Sequence, residues 1–167
     1  MTDQLRLLSH PEIVIGLAGP IGIDSEAMAE EVGRALDQVD YRHCTIRVTD
    51  LMMRYSAPDI EKEGEDFFSN MNFKMDYANK LCELAGQADA LVRLVALGIQ
   101  EARAKILAED KSEAKVLSDT AFIIRQLKRP EEVRLLRRIY DKRFVLISGY
   151  GSEEHRLERV AEKGKAS

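Results

Sequence analysis

Apolar positions in this chain alternate between short continuous runs and helically spaced sets. Residues 12–18 read EIVIGLA, a continuous β-branched run ending in glycines, which predicts a strand buried on both faces. Met28, Val32 and Leu36 then recur every fourth position, with Ala29 and Ala35 between them, predicting a helix over 25–36. Residues 44–48 (CTIRV) form a second short strand pattern, and Asp50 is placed as the cap of a short helix through Leu51, Met52 and Met53. The stretch 57–66, rich in acids with Pro58 and Gly64, reads as a solvated loop. From about 71 to 108 the spacing is helical, through Leu81, Leu84, Ala88, Leu91, Val95 and Ile99. Gly86 and Gly98 are the candidate points of kinking or division. After a charged connection at 109–115, TAFII at 120–124 predicts a third strand. Pro130, followed by Glu131 and Glu132, opens a helix to about 140. FVLIS at 144–148 is a fourth strand, and 153–163 a last helix.

The order β-α-β-α-α-β-α-β-α predicts an α/β fold with a mostly parallel sheet and helices on both faces. Ligands of such sheets bind beyond the carboxyl ends of the strands, where the strand order reverses. At 167 residues the expectation is one domain over 1–167, with its core at about 12–163. The composition is that of a globular protein, 45% hydrophobic and 32% charged, with a mean hydropathy of −0.28. Two distant cysteines, Cys44 and Cys82, support neither a disulfide framework nor a zinc site and read as buried small hydrophobes. Apolar runs are too short for a membrane span, and the first residues carry no signal-peptide pattern, so a cytoplasmic protein with no membrane partner is expected.

The net charge of −4 hides an asymmetry. Residues 1–124 hold 22 acids against 13 bases, whereas 125–143 hold eight bases against three acids. General DNA binding is not expected of an acidic body, but a basic block leaving the third strand suits an anionic ligand.

The segment that carries chemistry is Gly16-Leu17-Ala18-Gly19-Pro20-Ile21-Gly22-Ile23-Asp24-Ser25-Glu26. A buried strand enters a glycine turn and leaves as a helix, an arrangement that can gather backbone N–H groups around an anion. Against the phosphate-binding pattern G-x-x-x-x-G-K-[ST] started at Gly19, Asp24 replaces the second glycine, Ser25 the lysine and Glu26 the hydroxyl residue. The ammonium that would bridge terminal phosphates and the hydroxyl that would hold magnesium are both missing. Gln126 stands where a phosphotransferase would carry a magnesium-holding acid after its strand.

Three segments together carry a family resemblance: EIVIGLAGPIGIDSE leading to TIRVTD over 12–50, the helical stretch at 75–103, and TAFIIRQLKRPEEVRLLRRIYDKRFVLISGYGSEE at 120–154. The run LKRPEEVRLLRRIY is the most specific. They resemble the N-terminal P-loop, kinase-like (pseudokinase) domain of anti-phage deoxycytidine-nucleotide (dCTP/dCMP) deaminases, over nearly all of 12–163. The resemblance implies a three-layer P-loop NTPase fold like that of nucleoside monophosphate kinases. It implies a regulatory role over a deaminase domain or chain, with a nucleotide (with or without Mg2+) or a regulatory RNA as ligand. Serine at the lysine position is itself a habit of that family, which Ser25 shares.

The family's deaminase half uses H-x-E and P-C-x-x-C to hold zinc and move a proton. Here only His10-Pro11-Glu12 spells H-x-E, ahead of the first strand, and no P-C-x-x-C occurs, so no metal site, catalytic residue or deaminase domain is expected in this chain. The expected ligand contacts are Gly19, Pro20, Ile21, Gly22, Ile23, Asp24, Ser25 and Glu26 of the turn, with Arg125, Lys128 and Arg129 leaving the third strand. By resemblance to monophosphate kinases, Arg54 is a candidate for the acceptor phosphate and Tyr150 for the base. Arg134, Arg137 and Arg138 are expected on a solvated helix face or against an acidic partner, and the acids Asp59, Glu61, Glu63, Glu65 and Asp66 in a solvated loop. Two other functions remain open: an active deoxynucleoside monophosphate kinase-like phosphotransferase, and a scaffold that binds no ligand and uses the 71–108 helices to form a homo-oligomer.

Overall fold

A computed structural model describes residues 10–57, 66–111 and 117–165. Its sheet has four strands, β1 (Ile13–Ala18), β2 (Arg42–Arg47), β3 (Thr120–Leu127) and β4 (Phe144–Ser148), in the order β2-β3-β1-β4 with every pairing parallel. The helices are α1 (Ser25–Asp37), α2 (Val48–Met52), α3 (Phe67–Ala85), α4 (Ala90–Glu109), α5 (Pro130–Tyr140) and α6 (Glu153–Lys165). They flank the sheet on both sides, giving the three-layer α/β architecture that the alternating pattern predicts.

The two central strands are apolar on both faces because each face meets a helix. Ile15 and Leu17 of β1, with Ala121 and Ile123 of β3, pack against Ala29 and Leu36 of α1. Val14, Phe122 and Ile124 point the other way, toward Val92, Val95 and Ile99 of α4 and Leu135 and Leu136 of α5. Val92, Val95 and Ile99 are sealed from solvent, each contributing about 1.5–3 kcal/mol through burial. The connection from β1 through α1 leads toward β2, while that from β3 through α5 leads back past β1 to β4. The crevice between the carboxyl ends of β1 and β3 is therefore the topological switch point. At the opposite end of β1, the buried carboxylate of Glu12 (4% exposed) takes two hydrogen bonds from Arg103 of α4, at 2.6 and 2.8 Å.

The helical stretch 71–108 divides at Gly86, one of its two candidate break points: Gly86 adopts φ +62 and closes α3 with backbone bonds from its own N–H and that of Gln87 to the last turn. Other local expectations are corrected. Gly98, the other candidate break, lies inside α4. Asp50 does not cap α2: that helix starts at Val48 after extended Arg47, and Asp50 sits in its first turn. The third strand runs on to Leu127 through a bulge in which Arg125 and Gln126 together oppose Leu17. Asp66 caps α3, accepting from the N–H groups of Phe68 and Ser69. Asp59, Glu61, Glu63 and Glu65 lie outside the described residues.

Candidate functional site

An open cavity of about 710 Å³ lies at the switch point. Its floor is the turn between β1 and α1, contributing Gly19, Pro20, Ile21, Gly22, Ile23, Asp24, Ser25 and Glu26. Arg125, Gln126, Lys128 and Arg129 enter from the end of β3, and Glu132 from α5. The far wall mixes apolar side chains, Met52 of α2, Phe67, Met71 and Met75 of α3 and Leu91 of α4, with Asn70, Lys74 and Asn79 of α3. Arg159, Val160 and Lys163 of α6 close another side. One end is thus rich in cations and the other in methionine and other apolar side chains, a combination suited to a ligand with an anionic group on a largely apolar body.

The turn is held in shape by its own bonds. Ile23 N–H donates to Pro20 O (3.3 Å) and Ser25 N–H to Ile23 O (3.0 Å). Asp24 is the N-cap of α1, its Oδ1 accepting from the N–H groups of Glu26 and Ala27 at 3.1 Å each. Its Oδ2 is bonded by Arg159 of α6. Partial burial works against the charge on Asp24. The Ala27 amide, Arg159, the Glu26 amide and Lys163 outweigh it and hold the carboxyl below its ordinary range. Gly22 has φ +91, and a Cβ there would stand 2.5 Å from the carbonyl oxygen of Arg156, so only glycine lets α6 pack onto the turn. Arg156 also donates from Nη1 to Ile21 O (3.1 Å).

The bulge at the end of β3 aims the next set of groups. Gln126 takes φ +70, uncommon for a residue with a side chain. Arg125 reaches under the turn, donating from Nη1 to Glu26 (3.2 Å) and from Nη2 to Ser25 Oγ (3.4 Å). It is 9% exposed, and its buried Nε has no hydrogen-bond partner. Glu26 is also held by Arg47 of β2 at 2.8 Å. Lys128 crosses the turn, its Nζ donating to Gly19 O at 2.8 Å. Although much of that side chain faces the open cavity, the surrounding protein desolvates the ammonium and pushes its pKa down against the pull of Glu132. Arg129 donates to Asn79 of α3 at 2.6 Å. Glu132 is buried and accepts from the N–H groups of Lys128 (2.8 Å) and Arg129 (3.0 Å), yet its burial outweighs these bonds and raises its pKa.

The turn residues, Arg125, Lys128 and Arg129 come together in this cavity. Arg54 and Tyr150 do not: Arg54 pairs with Glu101 of α4 at 2.8 Å, and Tyr150 is 94% exposed, neither lining the cavity. Arg134, Arg137 and Arg138 lie exposed on α5, with Arg134 paired to Glu131. His10 meets Asp119 at the amino end of the sheet (3.0 Å), far in the fold from the switch point, and Glu12 belongs to Arg103. Among the described residues no group of three or more His, Cys, Asp or Glu is placed to hold a metal ion, and no helix is long and apolar enough to cross a membrane. The reading by sequence missed Arg159 and Lys163. A neutral total over 144–167 concealed them, although Arg156, Arg159 and Lys163 at i, i+3 and i+7 put three cations on one helix face.

No protein-family model matches the sequence, and no protein of curated function matches it.

Proposed function

We propose that this chain is a nucleotide-binding regulatory module: a kinase-like, degenerate P-loop domain without phosphoryl transfer, acting on an anti-phage deoxycytidine-nucleotide deaminase. The observation that carries nucleotide binding is the cavity itself. It sits at the switch point, is floored by a glycine turn, and joins a cation-rich end to a methionine-rich wall within about 710 Å³. The deaminase link rests on the resemblance of 12–50 and 120–154. Loss of transfer is supported by Ser25 at the lysine position, Gln126 at the acid position, and Glu26 tied to two arginines where a magnesium-binding hydroxyl would stand.

Calorimetry with a panel of nucleotides tests the reading, paired with an assay for ATP-dependent formation of nucleoside diphosphates. Binding without turnover is expected. Turnover abolished by Ser25→Ala would restore the phosphotransferase alternative, and no heat with any nucleotide would leave the scaffold alternative.

A further inference from the structure

Four amides at the end of the turn and the start of α1 are already in use here. Ile23 N–H is taken by Pro20 O, Ser25 N–H by Ile23 O, and the N–H groups of Glu26 and Ala27 by Asp24. The Asp24 carboxylate fills the anion seat at the start of α1 and is fastened there by Arg159. A phosphate therefore meets no free amide at Ser25, Glu26 or Ala27, the first positions of α1.

The unmet donor capacity lies on side chains across the cavity. Lys128 Nζ rests on a neutral carbonyl oxygen, Gly19 O, rather than on a carboxylate. Arg125 is nine-tenths buried with Nε unpartnered, and its Nη1 bond to Glu26 duplicates one that Arg47 already makes. Were Arg125 to turn from Glu26 to a ligand, its Nε and one Nη would form a fork while Arg47 kept Glu26 neutralised. A fork plus one ammonium matches the three oxygens and double charge of a single terminal phosphate.

Resting on the nucleotide-binding reading above, we infer that the cavity takes a phosphate monoester, a nucleoside monophosphate, whose phosphate is held by Lys128 and Arg125 rather than by the amides at the start of α1, with no divalent cation needed. Lys128 stands in for the lysine that position 25 lacks, supplied from β3 instead of α1. The two cations do the neutralising that magnesium does for longer phosphate chains.

The test is calorimetry on the full chain with the common nucleoside 5′-monophosphates, their parent nucleosides and their triphosphates, in EDTA and in magnesium. At least one monophosphate is expected to bind in EDTA about tenfold or more tighter than its nucleoside, with magnesium changing that affinity little. Lys128→Met should remove about tenfold of the monophosphate's affinity and none of the nucleoside's, with Lys128→Arg restoring most of the loss. Thermal unfolding of each variant checks that it is folded. Binding of triphosphates alone, binding only with magnesium, or wild-type affinity in folded Lys128→Met would each overturn the inference while leaving nucleotide binding intact. Silence from mono- and triphosphates alike would overturn both.

Discussion

Asp24 at the head of α1 and Arg159 in the middle of α6 are hydrogen-bonded across 135 positions of sequence, joining the floor of the cavity to its side wall. The same carboxylate caps α1, so one side chain holds a helix start and fastens a second helix.

Asp24→Ala should therefore cost about 0.5–2 kcal/mol, the range for a lost N-cap, and Asp24→Asn should recover the cap but not the Arg159 bond. Urea unfolding of the three proteins measures both. Because the carboxyl's pKa is lowered on folding, its contribution is present above the unfolded value of 3.8 and is lost as pH falls through the lower folded value. The gap between wild type and Asp24→Asn should then close in strong acid.

Gly22→Val meets two obstacles, a φ of +91 and the Arg156 carbonyl where the new Cβ would stand. We expect about 1–3 kcal/mol of destabilisation, with α6 displaced and nucleotide affinity reduced. Limited proteolysis near the start of α6, compared with wild type, reads the displacement.

Glu132 separates charge from hydrogen bonding. Glu132→Ala strands the buried N–H groups of Lys128 and Arg129 and should cost about 1–3 kcal/mol. Glu132→Gln keeps an acceptor and should cost less. The raised pKa of Glu132 means that its protonated form favours the fold: that stability is fully present below 4.5 and is lost as pH rises through the higher folded value. Denaturation curves across that window should show a slope in wild type that Glu132→Gln lacks.

Lys128 sets an alkaline limit. Its lowered pKa means that the ammonium discharges at lower pH than an ordinary lysine, so affinity for an anionic ligand should fall as pH rises through that value. In Lys128→Arg the fall should disappear, which titrations at a series of pH values will show.

Arg103→Met would leave Glu12, 4% exposed, without its partner. Breaking a buried pair from one side should cost about 3 kcal/mol, measured by chemical denaturation, with nucleotide affinity unchanged because the pair lies at the far end of β1.

The elements most legible in the sequence were those whose signal is local. β1, β3 and β4 are continuous apolar runs, the glycine turn announces the strand-to-helix passage, and Pro130 with two acids marks the start of α5. What stayed hidden depends on contacts distant in sequence. The bulge at Arg125 and Gln126 appears only against Leu17, and it sets where Arg125 and Lys128 emerge. Arg54 stands close in sequence to the cavity-lining α2, yet Glu101 of α4 draws it away. Arg159 belongs to the site only because α6 rests on the turn, which the φ of Gly22 permits. Tyr150 lies one glycine beyond β4, yet its side chain stands almost fully exposed.

α6 buries none of its residues, whereas the floor beneath it continues the two central strands. The two parts of the cavity wall therefore belong to units of different stability, and α6 can detach while the sheet stays folded. A bound molecule that touches Arg159 or Lys163 as well as Lys128 ties the weaker unit to the stronger. Its first signature is slowed hydrogen exchange along α6, at occupancies too low to move the melting temperature of the whole chain.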